Sequence, residues 1–244
     1  MAEVEGNRFA RIATRPLSLP EGTVEGFVGG GASNFDHIQG SPGKGAGRVF
    51  FSIAAGVTDR LSLSVGTDHG LCIGATFCHG SGEYQDLTAS ARVLLASPGA
   101  RFALDLQVGT LSFDPVTLYL AAGPHIELPL GGDLWLSSAV LVGFGQPTDG
   151  SSLGIGARLL AALWAELLPG FALAVESGAQ GPMTLHERFW GIPLRLKVLW
   201  TASGRADLIA SLGSDDVLAP SSSATLPEPF ALHTFMLGLV VRGQ

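Results

Sequence analysis

From Asp86 to Thr110, apolar and polar positions alternate with period two, break, and alternate again. Leu87, Ala89, Ala91, Val93 and Leu95 take one parity, and Asp86, Thr88, Ser90 and Arg92 the other. After Ser97-Pro98-Gly99-Ala100, Phe102, Leu104, Leu106 and Val108 alternate with Ala103, Asp105, Gln107 and Gly109. Successive side chains of an extended strand point to opposite faces, so the pattern predicts two strands, each of about ten residues, joined by a Pro-Gly hairpin turn.

The same unit fills the rest of the chain. Alternation predicts strands near 23–33, 47–57, 116–129, 152–167, 171–178, 187–200, 206–213 and 230–242. Two more are carried by Leu61, Leu63 and Val65, and by Leu134, Leu136, Val140, Val142 and Phe144. With the first hairpin this makes about twelve strands in one domain, 23–244, behind a polar lead-in at 1–22 that does not alternate. Short turns are expected near 59, 98, 132, 169 and 204, and longer polar connections at 34–45, 69–84 and 214–228. Two stretches resist the pattern. Pro193 falls inside the tenth predicted strand, where its missing N–H requires a bulge. Leu159–Leu168 (LLAALWAELL) also has the propensities of a helix.

Composition decides what the strands face. Only 14% of residues are charged, against the usual ~25%, and mean hydropathy is +0.36. No unbroken apolar run of about 18 residues exists; the longest candidate, Leu159 to Val175, is interrupted by Glu166, Pro169 and Gly170. Hydrophobicity spread as alternation is what a barrel in lipid requires, because closure satisfies every backbone group without water. The expected fold is therefore all-β: a closed, antiparallel, up-and-down transmembrane β-barrel with short turns on one side and long loops on the other. Its main partner would be the lipid bilayer. A net charge of −7 argues against nucleic acid. Trp190 and Trp200 share a parity ten residues apart; on a strand tilted by 40–45° that is roughly 24 Å along the axis, close to the ~25 Å apolar band of such barrels. Together with Phe102, Phe144 and Phe171 they form a candidate aromatic girdle.

In these features the chain resembles bacterial outer-membrane β-barrel proteins over about 23–242, with no particular subfamily indicated. The stretch Arg15-Pro16-Leu17-Ser18-Leu19-Pro20-Glu21-Gly22-Thr23 is also similar to the lead into the first strand of some of them. One departure is the C-terminus. Such barrels usually end in an aromatic residue, and here Phe235 is the last, nine positions before Gln244. The resemblance implies the bacterial outer membrane as location. The N-terminus has no apolar signal segment, so the expectation is a mature form.

The inward parity carries the candidate chemistry: Glu25, Arg48, Arg60, Arg92, Asp105, Glu127, Arg158, Glu166, Glu176, Glu187, Arg195, Lys197 and Arg242. Interleaved charges of both signs suit a water-filled channel, and suit equally an internal ion-pair network that fills the lumen. The leading expectation is a monomeric pore or small-solute channel passing ions or small solutes, with no cofactor and no metal. The alternative is a plugged barrel with a scaffold, adhesion or binding role through its long loops. Third is a barrel hydrolase, for which Ser211 and His233 are the nearest pair. Cys72 and Cys78 are read as a loop disulfide; with His69 and His79 they do not have a usual zinc spacing. Gly29-Gly30-Gly31 is read as easing barrel curvature.

Overall fold

In the computed structural model the described residues are 12–35, 44–67, 70–73, 87–96, 99–113, 116–147, 154–181, 191–214 and 232–243. They form thirteen strand segments: β1 (Val24–Phe35), β2 (Lys44–Thr58), β3 (Leu61–Gly66), β4 (Leu71–Ile73), β5 (Leu87–Ala96), β6 (Arg101–Phe113), β7 (Val116–Gly131), β8 (Leu134–Pro147), β9 (Gly154–Leu168), β10 (Phe171–Gln180), β11 (Leu194–Ser203), β12 (Ala206–Ser214) and β13 (Leu232–Gly243). Each pairs antiparallel with its neighbours, and β1 pairs both β2 and β13, which closes the sheet. Both β3 and β4 pair with β2, at Ser52–Thr58 and at Gly47–Val49, so they are two parts of one stave. The barrel therefore has twelve staves in up-and-down order.

The outward parity is apolar around the ring. Val28, Ile53, Val65, Val108, Val142, Ile155, Leu163, Val175, Leu212 and Leu237 are each half exposed or nearly so. Every Asp, Glu, Lys and Arg in the described strands lies on the opposite parity. An apolar belt of this size is unstable against water and stable against hydrocarbon, while the polar parity turns toward the lumen. Among the described residues no helix is long and apolar enough to cross a membrane; the crossing is made by strands.

Leu159–Leu168 lies within β9, not in a helix. Its neighbours decide the outcome, because both edges of the stretch are paired, to β8 and to β10. The strand after the 182–190 stretch begins at Leu194, later than the alternation predicts, and Pro193 precedes it as a buried residue. Starting after the proline spares the ladder an absent donor, so no bulge is needed there. Tight turns join β7 to β8 and β9 to β10, and Gly131, Gly132 and Gly170 take positive φ in them (109°, 59° and 78°). Glycine pays no Cβ penalty in that region. Gly29 and Gly31 have a different role from general flexibility. A Cβ on Gly29 would meet the Leu237 carbonyl oxygen and the Phe27 ring, both at 2.9 Å, and one on Gly31 would meet the Phe235 carbonyl oxygen of β13 first and the Phe50 ring at 3.1 Å. These glycines leave room for two inward aromatic rings to lie flat on the wall.

Candidate functional site: the lumen and the segment that crosses it

Residues 12–20, within the predicted lead-in, lie inside the barrel, and Glu21 and Gly22 are exposed at its short-turn rim. Thr23 and Gly22 bond to Gly56 at the short-turn edge, through Gly22 N–H to the Gly56 carbonyl (3.0 Å) and Gly56 N–H to the Thr23 carbonyl (2.8 Å). From there the chain crosses toward the opposite staves. The Leu17 carbonyl accepts from Arg92 of β5 (3.3 Å). The carbonyls of Arg15 and Ala13 accept from the Arg101 guanidinium of β6. Arg15 reaches Asp207 of β12 and Thr201 of β11. The segment ends its described course in a short 3-10 turn, Ile12–Thr14. There Ile12 packs with Trp135 of β8 and Ala172 of β10, flanked by Ala13, Trp164 and Leu199. Contacts with so many staves, most of them through inward side chains, place the segment across the lumen as a plug.

The plug is held mainly by charged groups acting on its backbone. The Glu166 carboxylate of β9 accepts from the amides of Ile12 and Ala13, at 3.1 Å each, and from Gly170 N–H at 2.9 Å. A carboxylate that accepts several amides satisfies the exposed donors of a helical turn and costs little when buried. Asp207 is fully buried and accepts a forked pair from Arg15 (2.6 and 2.9 Å), while Arg242 of β13 holds it at 2.7 Å. Trp135 and Trp164 stack beneath the turn, with centroids 5.7 Å apart and planes 5° apart.

Above and beside the plug the charges pair across strands. Arg92 forks onto Asp105 (2.6 and 2.8 Å), directly opposite it in the β5–β6 ladder, and His125 lies 3.4 Å from the same carboxylate. Arg195 and Lys197 of β11 both hold Glu176 of β10, at 3.1 and 2.5 Å. Arg101 pairs with Glu127 (2.9 Å) and Arg242 with Glu25 (2.7 Å). Thus Arg92, Asp105, Glu127, Glu166, Glu176, Arg195 and Lys197 lie on the inward parity and enter these contacts. Arg48 and Arg158 share the inward parity, nearer the long-loop end of β2 and β9. Arg60 lies in the exposed turn between β2 and β3, off the lumen wall.

Phe102, Phe171 and Trp200 stand on the outward face near the short-turn rim, with Phe171 and Trp200 paired across β10 and β11. Phe144 stands toward the other rim, 47% exposed. Trp190 and Glu187 lie outside the described residues, as do Cys78, His69 and His79; Cys72 is in β4, with nothing described beyond its backbone. Ser211 is on the inward parity, and the β12–β13 register sets it opposite Met236, with Ser214 opposite His233. The two hydrolase candidates are therefore not brought together. Sequence reasoning missed Arg15, Arg101 and Asp207, and the inward pair Trp135 and Trp164. Parity alone marks all but Arg15 as lumen residues.

No family model and no curated protein sequence matches the chain. Solved structures do. A NanC porin aligns over 88% of this chain and 98% of its own, with a TM-score of 0.63 and 10% identity. A KdgM porin in complex with disordered oligogalacturonate gives 0.58 and 8%, over 88% and 98%. The COG4313 outer membrane channel from Pseudomonas putida F1 gives 0.63 and 15%, over 93% and 97%. The fold of this chain is that of bacterial outer-membrane porins and channels: a closed, twelve-stave, up-and-down β-barrel.

Proposed function

We propose that the chain is a narrow outer-membrane channel for small solutes, partly closed from within by its own residues 12–20. The observation that carries this reading is the combination of an apolar exterior with a lumen that keeps a polar cavity of about 280 Å³ beside the plug. A barrel serving only as a scaffold needs no such space, since close packing is the default for protein interiors. The lumen charges are largely paired, so weak ion selectivity is expected rather than the strong preference of a ring of one sign. Similar folds in proteins named as porins support the reading, as does the aromatic residue placement at the short-turn rim. The barrel would work as a monomer, because its sheet is closed and the cavity is lined by one chain.

The test is single-channel recording after refolding in detergent and transfer to a planar bilayer. The full chain should give small discrete steps, and a chain lacking residues 1–22 should give larger ones. A folded barrel that stays silent in both forms refutes a channel. It would then favour the second reading, a closed barrel acting through its long loops.

A further inference from the structure

The lumen is not filled evenly around the plug. Toward β8–β11, Ile12 and Ala13 sit against Trp135, Trp164, Ala172 and Leu199, and both their amides end on Glu166. Toward β2, β3 and β5 a run of inward positions is small, between Phe50 of β2 and Arg92 of β5. Ala54 faces Ser64, and Ser64 faces Ser90, across the ladders. Short side chains on three adjacent staves set the wall back, and the cavity of about 280 Å³ lies between that wall and Pro16, Leu17 and Leu19 of the plug.

The chemistry of the cavity is specific. One wall carries the hydroxyls of Ser62, Ser64 and Ser90 and the amide of Gln107. Ser64 and Ser90 share a hydrogen bond of 2.6 Å, so their hydroxyls form a short ladder. The bordering charges are matched: Arg92 with Asp105, Arg242 with Glu25, and Arg15 with Asp207. A charged solute entering here would shed its hydration and then compete with carboxylates or guanidiniums already in place, which is unfavourable. An uncharged solute with several hydroxyl groups exchanges bonds to water for bonds to serine and glutamine at little net cost. The volume lies near the ~300 Å³ lower end of small-molecule pockets.

We propose that this cavity is the lumen's solute site, that it takes a small uncharged polyhydroxyl solute of monosaccharide size, and that solutes pass the plug on the serine side only. The proposal rests on the channel reading for its last part and stands without it for the first two. The experiment uses an Ala54→Cys variant of the full chain with Cys72→Ser and Cys78→Ser, which places a thiol on the cavity wall and keeps the three serines, labelled in detergent by an uncharged, water-soluble thiol reagent. Glucose, glucuronate and glucosamine are pyranoses of closely similar size that carry no charge, a negative charge and a positive charge. At twice its dissociation constant, glucose should slow labelling by about threefold, and the two charged analogues by less. Stronger protection by glucuronate or glucosamine, or no protection by any of the three, overturns the site. In a bilayer, attaching a bulky thiol reagent to the folded Ala54→Cys variant should abolish its conductance, and conductance that survives labelling overturns the serine-side route. A barrel that conducts nothing while glucose still protects the thiol supports the binding site and refutes the channel.

Discussion

Arg15 is the point at which the plug is most open to a clean perturbation. Its guanidinium forks onto Asp207 at 2.6 and 2.9 Å and touches the Thr201 hydroxyl at 2.5 Å. Replacing it by alanine removes these contacts without altering a residue of the wall, and Asp207 keeps Arg242 at 2.7 Å. Hydrogen bonds to charged groups contribute about 1.5–3 kcal/mol each, and water entering the vacated space offsets part of the loss, so about 3 kcal/mol is the working figure. That is about a hundredfold in the ratio of docked to undocked plug. The barrel itself should still form, since residues 12–22 supply no rung of its ladders. In single-channel records of Arg15→Ala, large openings should be about a hundredfold more frequent than in the unaltered chain, and Arg15→Lys should fall between, because a point charge replaces a planar fork. A second readout is built in. Trp135 is 5% exposed beneath Ile12 and stacks on Trp164, so undocking should raise acrylamide quenching of this pair in a Trp190→Phe, Trp200→Phe background, which leaves no other tryptophan. If Arg15→Ala changes neither opening frequency nor quenching, the Arg15–Asp207 fork does not hold the plug and the energetic reasoning fails.

Other perturbations reach different parts of the lumen. Glu166→Gln turns one acceptor oxygen into a donor aimed at an amide; hydrogen exchange at Ile12 and Ala13 should quicken by about tenfold while the β9 ladder stays protected, and unchanged exchange would show that the carboxylate is dispensable. Arg92→Ala leaves Asp105 with His125 alone and adds a negative charge beside the cavity. The reversal potential in a salt gradient should move toward cation preference, more at low ionic strength than at high; no shift would place the permeation path elsewhere. Gly123→Val tests the wall. Its new Cβ would overlap the Val140 carbonyl oxygen, so a loss of about 3 kcal/mol and a sharp fall in refolded, heat-modifiable barrel on gels are expected. Normal refolding would mean that β7 and β8 can separate there at little cost.

The exterior of this barrel could be read from the sequence because lipid imposes one rule on it. Each outward position must be apolar, so Leu104, Leu106 and Val108 announce both a strand and its face, and the period-two pattern reproduces the order of all twelve staves. Errors arose where a local signal is decided elsewhere. The late start of β11 depends on Pro193 having no place in a ladder, and Leu159–Leu168 is held extended by pairing on both edges. The lumen obeys no comparable rule. Alternation marks Asp105, Glu166 and Glu176 as inward, but their partners are set by stagger between strands, which no single strand encodes. Arg92 and Asp105 are thirteen residues apart and become partners only through the register of the hairpin.

The plug was invisible for a stronger reason. Five of its attachments to wall side chains use backbone atoms: the amides of Ile12 and Ala13 and the carbonyls of Ala13, Arg15 and Leu17. Every residue has the carbonyl and every residue but proline the N–H, so their use leaves no trace in side-chain pattern. The wall does carry a trace, in retrospect, as a division between its two halves. Trp135, Trp164 and Leu199 are large apolar side chains on the inward parity, where water would leave them poorly satisfied, and they need a cover. Ser62, Ser64 and Ser90 are small and polar on the same parity and need none. A lumen with one greasy side and one hydroxyl side implies an object lying against the first and space beside the second. That asymmetry, more than the count of charges, is what distinguishes a partly occupied channel from either an open pore or a filled barrel.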